Sequence, residues 1–147
     1  MTLKERIYKD MVDAMKQKDA FRKNILNMVR ASILQVEKDT LNELDDEGVI
    51  NVIAREIKQR KDVLPDYKKS GRQDLVDKIN REIEIMQEYM PKQLTEEEIN
   101  EIVLKVIAEV NAIGKNDIGR VMAKVMPLVK GKADGNVVKN IVTEHLQ

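Results

Sequence analysis

The chain contains no cysteine and no tryptophan, one histidine, one phenylalanine and three prolines. Without cysteine there is no disulfide framework and no thiolate chemistry, which agrees with a reducing compartment and sets the expectation of a cytoplasmic protein. Long uncharged apolar runs are missing, and Lys4, Glu5 and Arg6 interrupt the N-terminus. Neither a spanning helix nor a signal peptide is therefore expected, and no membrane partner. The 26 basic residues are balanced by 26 acidic ones, so the chain is not built to coat nucleic acid indiscriminately, although a local basic face remains open to it.

What remains is a helix-forming composition: 35% charged, 42% hydrophobic and only 3% aromatic over 147 residues, enough for one ordinary domain or two small ones. Thr2 with Glu5 makes a capping box for a first helix that carries Leu3, Ile7, Met11 and Met15 on one side. Asp19 restarts the chain into a long helix with Ile25, Val29 and Ile33 at helical spacing, and residues 41–48 read as a turn. A third helix carries Ile50, Ile53, Ala54, Ile57 and Leu64, with a kink or an end expected at Leu64 because Pro65 removes a backbone donor. A fourth carries Leu75, Ile79, Ile83 and Met86. Met90-Pro91 marks the best boundary, since a pre-proline residue is pushed out of the helical region. Thr95 and Glu98 form a second capping box, and the helix they start is expected to end near Gly114. The expected fold class is all-α: an antiparallel helical bundle over residues 1–90 and a small three-helix tail domain over 95–147.

Residues for catalysis and metal binding are scarce. His145 lies two residues from the C-terminus, and no Ser-His-Asp or Cys-His set can be assembled around it. One histidine and no cysteine leave no zinc set. An EF-hand pattern laid on Glu43, Asp45, Glu47 and Gly48 puts Ala54 where the bidentate Glu belongs. Gly131-Lys132 lacks the upstream Gly and the following Ser/Thr of a phosphate loop, since Met126 and Ala133 stand there. The acidic runs Asp45-Asp46-Glu47 and Glu96-Glu97-Glu98 precede helices, where capping and dipole terms account for them. No catalytic residue, metal site or cofactor is expected.

The tail is more informative. Asn116 or Asp117 can cap a helix whose apolar face is Ile118, Val121, Met122, Val125 and Met126; Gly131 suits a left-handed position after it; Asp134 can cap the last helix. Residues 95–114 hold one basic and five acidic side chains, a net of −4, whereas 115–147 hold six basic and three acidic, a net of +3. Lys115, Arg120, Lys124, Lys130, Lys132 and Lys139 make up this basic set. Such a surface can grip phosphates, although Asp134 would repel one at its helix N-terminus and no aromatic follows Tyr89 to stack bases. A solvated helix face is the competing explanation. It is also the ordinary reading of a second basic cluster, Arg55, Lys58, Arg60, Lys61, Lys68, Lys69 and Arg72, which is interleaved with Glu56, Asp62 and Asp66.

Gly119-Arg120-Val121-Met122 followed by Gly131-Lys132-Ala133-Asp134-Gly135 resembles the tail of the B subunit of the tRNA-dependent glutamyl/aspartyl amidotransferase. The whole chain is similar to the freestanding GatB/YqeY family, most strongly after Thr95. The resemblance implies a tRNA-binding or tRNA-handling accessory, with tRNA as partner and phosphate contacts on Arg120, Lys124, Lys130 and Lys132, which flank the matching motif; Lys115 and Lys139 extend the set. The alternative is a protein–protein adaptor, with another protein of tRNA aminoacylation or amidation as partner. Least expected is the family's label of carbon–nitrogen ligase activity with glutamine as amido-N-donor, since no ATP site or glutaminase nucleophile is visible. The family's tails often carry Pro where this chain has Gly135, which implies a looser joint here.

Overall fold

In the computed structural model, which describes residues 1–147, the backbone forms seven α-helices, one short 3-10 turn and no strand. The helices are α1 (Leu3–Lys16), α2 (Ala20–Thr40), α3 (Asp46–Lys69), α4 (Gln73–Gln87), α5 (Glu96–Val110), α6 (Ile118–Val129) and α7 (Gly135–His145), with the 3-10 turn Lys115–Asp117 before α6. They fall into two compact units, Met1–Met90 and Pro91–Gln147.

Local chemistry sets most helix starts. The Thr2 hydroxyl accepts the Glu5 N–H at 3.1 Å, and the Glu5 carboxylate accepts the Thr2 N–H at 3.1 Å, a complete capping box. Asp19 and Asp45 cap α2 and α3 by accepting from the Arg22 and Gly48 amides at 3.1 and 2.9 Å. Space is tight at Gly48: a Cβ there would stand 2.9 Å from Leu44 Cδ2, so the leucine side chain would have to shift.

The first unit buries Ile7 and Met11 of α1, Leu26, Val29 and Ile33 of α2, and Val49, Ile53 and Ile57 of α3, together with Met86 and Tyr89. Lys4 pairs with Glu37 at 2.7 Å while Asp10 faces Arg22 at 3.9 Å, so α1 and α2 run in opposite directions. A polar knot closes one end. The buried Tyr89 hydroxyl donates to Asp10 at 2.6 Å and accepts from Arg22 at 3.2 Å, and Arg22 also reaches Glu88 at 2.6 Å. Arg6 stacks over the Tyr89 ring, 4.7 Å from its centroid. Burial first, then the Asp10 hydrogen bond, push the Tyr89 hydroxyl well above its ordinary ionisation range.

Of the kink or end expected at Leu64, the end does not occur: α3 is one helix to Lys69, with Pro65 inside it. The last buried residue of α3 is Ile57, and both Pro65 and Lys61 are exposed. The carbonyl that Pro65 leaves without a donor is therefore open to water, which removes much of the usual penalty.

The second unit packs α5, α6 and α7 around Ile99, Val103, Val106, Val121, Val125, Val129, Val138, Val142 and Leu146. Thr95 caps α5 by accepting the Glu98 N–H at 3.1 Å; the Glu98 carboxylate returns to the Thr95 hydroxyl, not to its amide. α5 stops at Val110, short of Gly114, because Asn111 takes the left-handed conformation (φ 55°) that closes it.

Candidate nucleic-acid interface

The connector between α6 and α7 is built from the inside out. Gly131 is left-handed (φ 75°), and the Lys132 and Ala133 amides both return to the Val129 carbonyl, at 2.8 and 3.1 Å. The segment leading into α5 then clasps this turn: the Leu94 N–H donates to the Lys132 carbonyl at 2.8 Å, and the Gln93 side-chain amide to the Gly131 carbonyl at 2.9 Å. The connector's carbonyls are thus engaged by the fold, while the Lys130 and Lys132 side chains stand exposed.

All six sequence-predicted residues are exposed. Lys115 lies in the 3-10 turn, Arg120 and Lys124 one turn apart on α6, Lys130 and Lys132 just past its C-terminus, and Lys139 on α7. Lys115 and Lys130 flank opposite ends of a 12-residue helix, about 18 Å long, so this set is strung along α6 and is not one focus. Lys115, Lys124, Lys132 and Lys139 have no carboxylate within ion-pair distance. Arg120 does: its Nη2 donates to Asp117 at 3.1 Å. In the sequence that pairing is visible only as an i, i+3 spacing, which does not single it out.

Asp117 stands at the N-cap position of α6 without capping it. Its carboxylate instead accepts the Ile113 N–H at 2.9 Å, and that bond, with Arg120 beside it, holds the carboxyl below its usual range. Asp134 does cap α7, accepting the Asn136 N–H at 2.8 Å, which fills that helix N-terminus with the chain's own carboxylate. His145 sits against Asn100, ring nitrogen to side-chain oxygen at 2.5 Å. No group of three or more His, Cys, Asp or Glu side chains converges to hold a metal ion. A cleft of about 260 Å³ between α1 and α2 is lined by Lys4, Tyr8, Arg30, Leu34 and neighbours, none of them from the six.

What this arrangement offers chemically is a row of exposed cationic side chains, suited to phosphates. No helix is long and apolar enough to cross a membrane.

A profile of the family described as "Yqey-like protein" matches residues 4–146. Among curated proteins, the chain is 28% identical over 142 residues to "Altered inheritance of mitochondria protein 41, mitochondrial" of Pyrenophora tritici-repentis, covering 95% of this chain and 78% of that protein. Proteins of the same name from Kluyveromyces lactis and Lachancea thermotolerans are 32% and 34% identical, covering 68% and 56% of this chain and 56% and 44% of their own lengths. The chain thus spans about half the length of these two. All three are named as mitochondrial, which overturns the expectation of a cytoplasmic protein. The lack of cysteine and of an apolar span, on which that expectation rested, does not distinguish the cytoplasm from the inside of an organelle. With a match over nearly its whole length, the chain belongs to the YqeY-like protein family.

Proposed function

We propose that this protein is a non-catalytic accessory that holds structured RNA, tRNA in the first instance, through the basic side of its second unit. The observation that carries the reading is the charge separation there. Lys115, Lys124, Lys132 and Lys139 are exposed and unpaired, while the carboxylates of α5 lie on a different helix. The resemblance of this unit to the amidotransferase B-subunit tail supports tRNA as the ligand. With no aromatic after Tyr89 and α7 capped by Asp134, recognition runs through lysine side chains to phosphates, by shape more than by base.

The test is binding of the purified chain to a folded tRNA pool over a salt series, with length-matched duplex DNA as control. Saturable binding to tRNA, weaker binding to DNA and a clear salt slope are expected. Replacing Arg120, Lys124 and Lys132 together by Ala should flatten that slope by about two to three, at roughly 0.7–0.9 for each phosphate no longer neutralised. An unchanged slope in the folded triple variant sinks this site. Organellar tRNA belongs in the pool, given the names of the relatives.

A further inference from the structure

The first unit carries a second charged feature that the tail reading does not use. Successive helical residues are about 100° apart, which places Lys58, Lys61, Lys68 and Lys69 within an arc of about 100° on α3. Exposed Pro65 lies among them and no carboxylate falls inside the arc once α3 has passed its first turn. Asp62 and Asp66, with Arg55, lie to one side of it. All four lysines are exposed, and none has an ion-pair partner.

That freedom is not for want of carboxylates nearby. Arg60, on the packed side of the same helix, pairs with Glu56 at 2.8 Å and with Glu82 of α4 at 3.2 Å. On α4, Asp74 is taken by Arg72 at 3.4 Å and Asp77 by the Gln73 amide at 2.8 Å. The unit thus satisfies the cation that packs and leaves the stripe open.

The stripe also lacks what other partners need. The one large exposed apolar residue of α3, Val63, points to the opposite side of the helix, and the buried face is committed to the core. A protein interface would want an apolar or aromatic anchor at its centre. A helix lying on a lipid surface would want an apolar face to insert. A phosphate backbone needs neither. From Lys58 to Lys69 the helix rises about 17 Å, a length over which one strand of a duplex presents roughly five phosphates.

We propose that Lys58, Lys61, Lys68 and Lys69 form a contact surface for an RNA phosphate backbone, separate from the basic side of the second unit. The proposal stands or falls independently of the tail site.

The experiment uses the full chain with Lys58→Gln, Lys61→Gln and Lys69→Gln combined, beside the Arg120/Lys124/Lys132 alanine variant, each titrated with the folded tRNA pool across a salt series. Glutamine keeps helix propensity, and the sites are exposed, so the helical circular-dichroism signal should match the parent. The glutamine variant should bind tRNA at least about tenfold more weakly at low salt, with the slope reduced by about two to three. Unchanged affinity and slope in that variant overturn the assignment, whatever the alanine variant does. Weaker binding in the glutamine variant alone upholds the stripe and removes the tail site; weaker binding in the alanine variant alone does the reverse. Binding to phosphatidylserine-containing vesicles that disappears in the glutamine variant, with tRNA binding intact, also overturns the proposal and makes the stripe a membrane contact.

Discussion

The two units of this chain use their charges differently. In Met1–Met90, cations and carboxylates meet across helices: Lys4 with Glu37, Arg22 with Glu88 and Asp10, Arg60 with Glu82. In Pro91–Gln147 the ion pair between Arg120 and Asp117 is local and exposed. Their cores differ in the same sense. The first mixes Ile, Leu, Met and Tyr with three valines, whereas the second is seven valines with Ile99 and Leu146. Polar specificity across helices holds the first unit in register. The second relies on a uniform apolar seam and a hydrogen-bonded connector, so most of its cations are left available. The function proposed for the second unit thus rests on what the fold does not use, and the contact proposed for the lysine stripe of α3 rests on the same ground in the first.

The sharpest way to break the contrast is at Tyr89. Asp10→Ala removes the acceptor of a hydroxyl on a residue only 3% exposed, and leaves Arg22 short of one carboxylate. The expected cost is about 1–3 kcal/mol, read as a lower urea midpoint with unchanged slope. Tyr89→Phe deletes the donor as well and should cost less, because Arg22 and Arg6 still face Asp10. No loss in Tyr89→Phe, which keeps the ring and deletes only the hydroxyl, would mean that the knot is packing and not hydrogen bonding.

That knot also marks the limit of what the sequence discloses. The caps at Thr2, Asp19, Thr95 and Asp134 are legible because they are settled within three residues. The apolar stripes are legible because their period is. Tyr89 and Asp10 are 79 positions apart, and no local pattern announces them as partners. That α3 runs on past Pro65 is not legible, because the residue's helical phase can be read from the sequence but the solvent beside it cannot. The end of α2 falls where residues 41–48 read as a turn, whereas the end of α5 at Asn111 (φ 55°) escapes a sequence reading because a left-handed residue is expected to be glycine. For the candidate interface, the lysines can be named in advance. Which of them the fold engages cannot, since pairing is a tertiary property.

Acid should also separate the units. Glu37 accepts the Lys4 ammonium and the Leu44 N–H, both at 2.7 Å, and these bonds hold its carboxyl below the usual range. A carboxyl depressed by folding contributes stability above its unfolded value, about 4.3, and loses it as pH falls through the folded value. Lys4 is shifted the other way by the same Glu37 bond, so its contribution is complete below about 10.4 and fades only as pH rises through the raised value. Glu37→Gln should flatten the acid limb of the first unit in urea midpoints taken from pH 7 to pH 3. Asp117→Asn should do so for the second, where the Ile113 N–H is the main cause of the depression. If the first unit's limb survives Glu37→Gln, Asp74, lowered by Arg72, becomes the group to change next.

The smallest effect expected is a gain. Gly135 is the first residue of α7, its backbone is outside the left-handed region, and its N–H serves no backbone hydrogen bond. Asp134 before it is already extended (φ −73°, ψ 128°), the conformation a following proline demands. A Cβ at 135 would meet only Met126 Cε, at 3.6 Å, an ordinary contact. Gly135→Pro therefore fits the native chain while restricting the unfolded one, and should stabilise the second unit by about 0.4–1 kcal/mol in a urea or thermal melt. If the stiffened connector also leaves tRNA affinity unchanged, Lys130 and Lys132 act from a turn that is already fixed by its Leu94 and Gln93 bonds. A drop in affinity would instead mean that the connector moves when RNA binds, and the quiet half of the molecule would prove to be the mobile one.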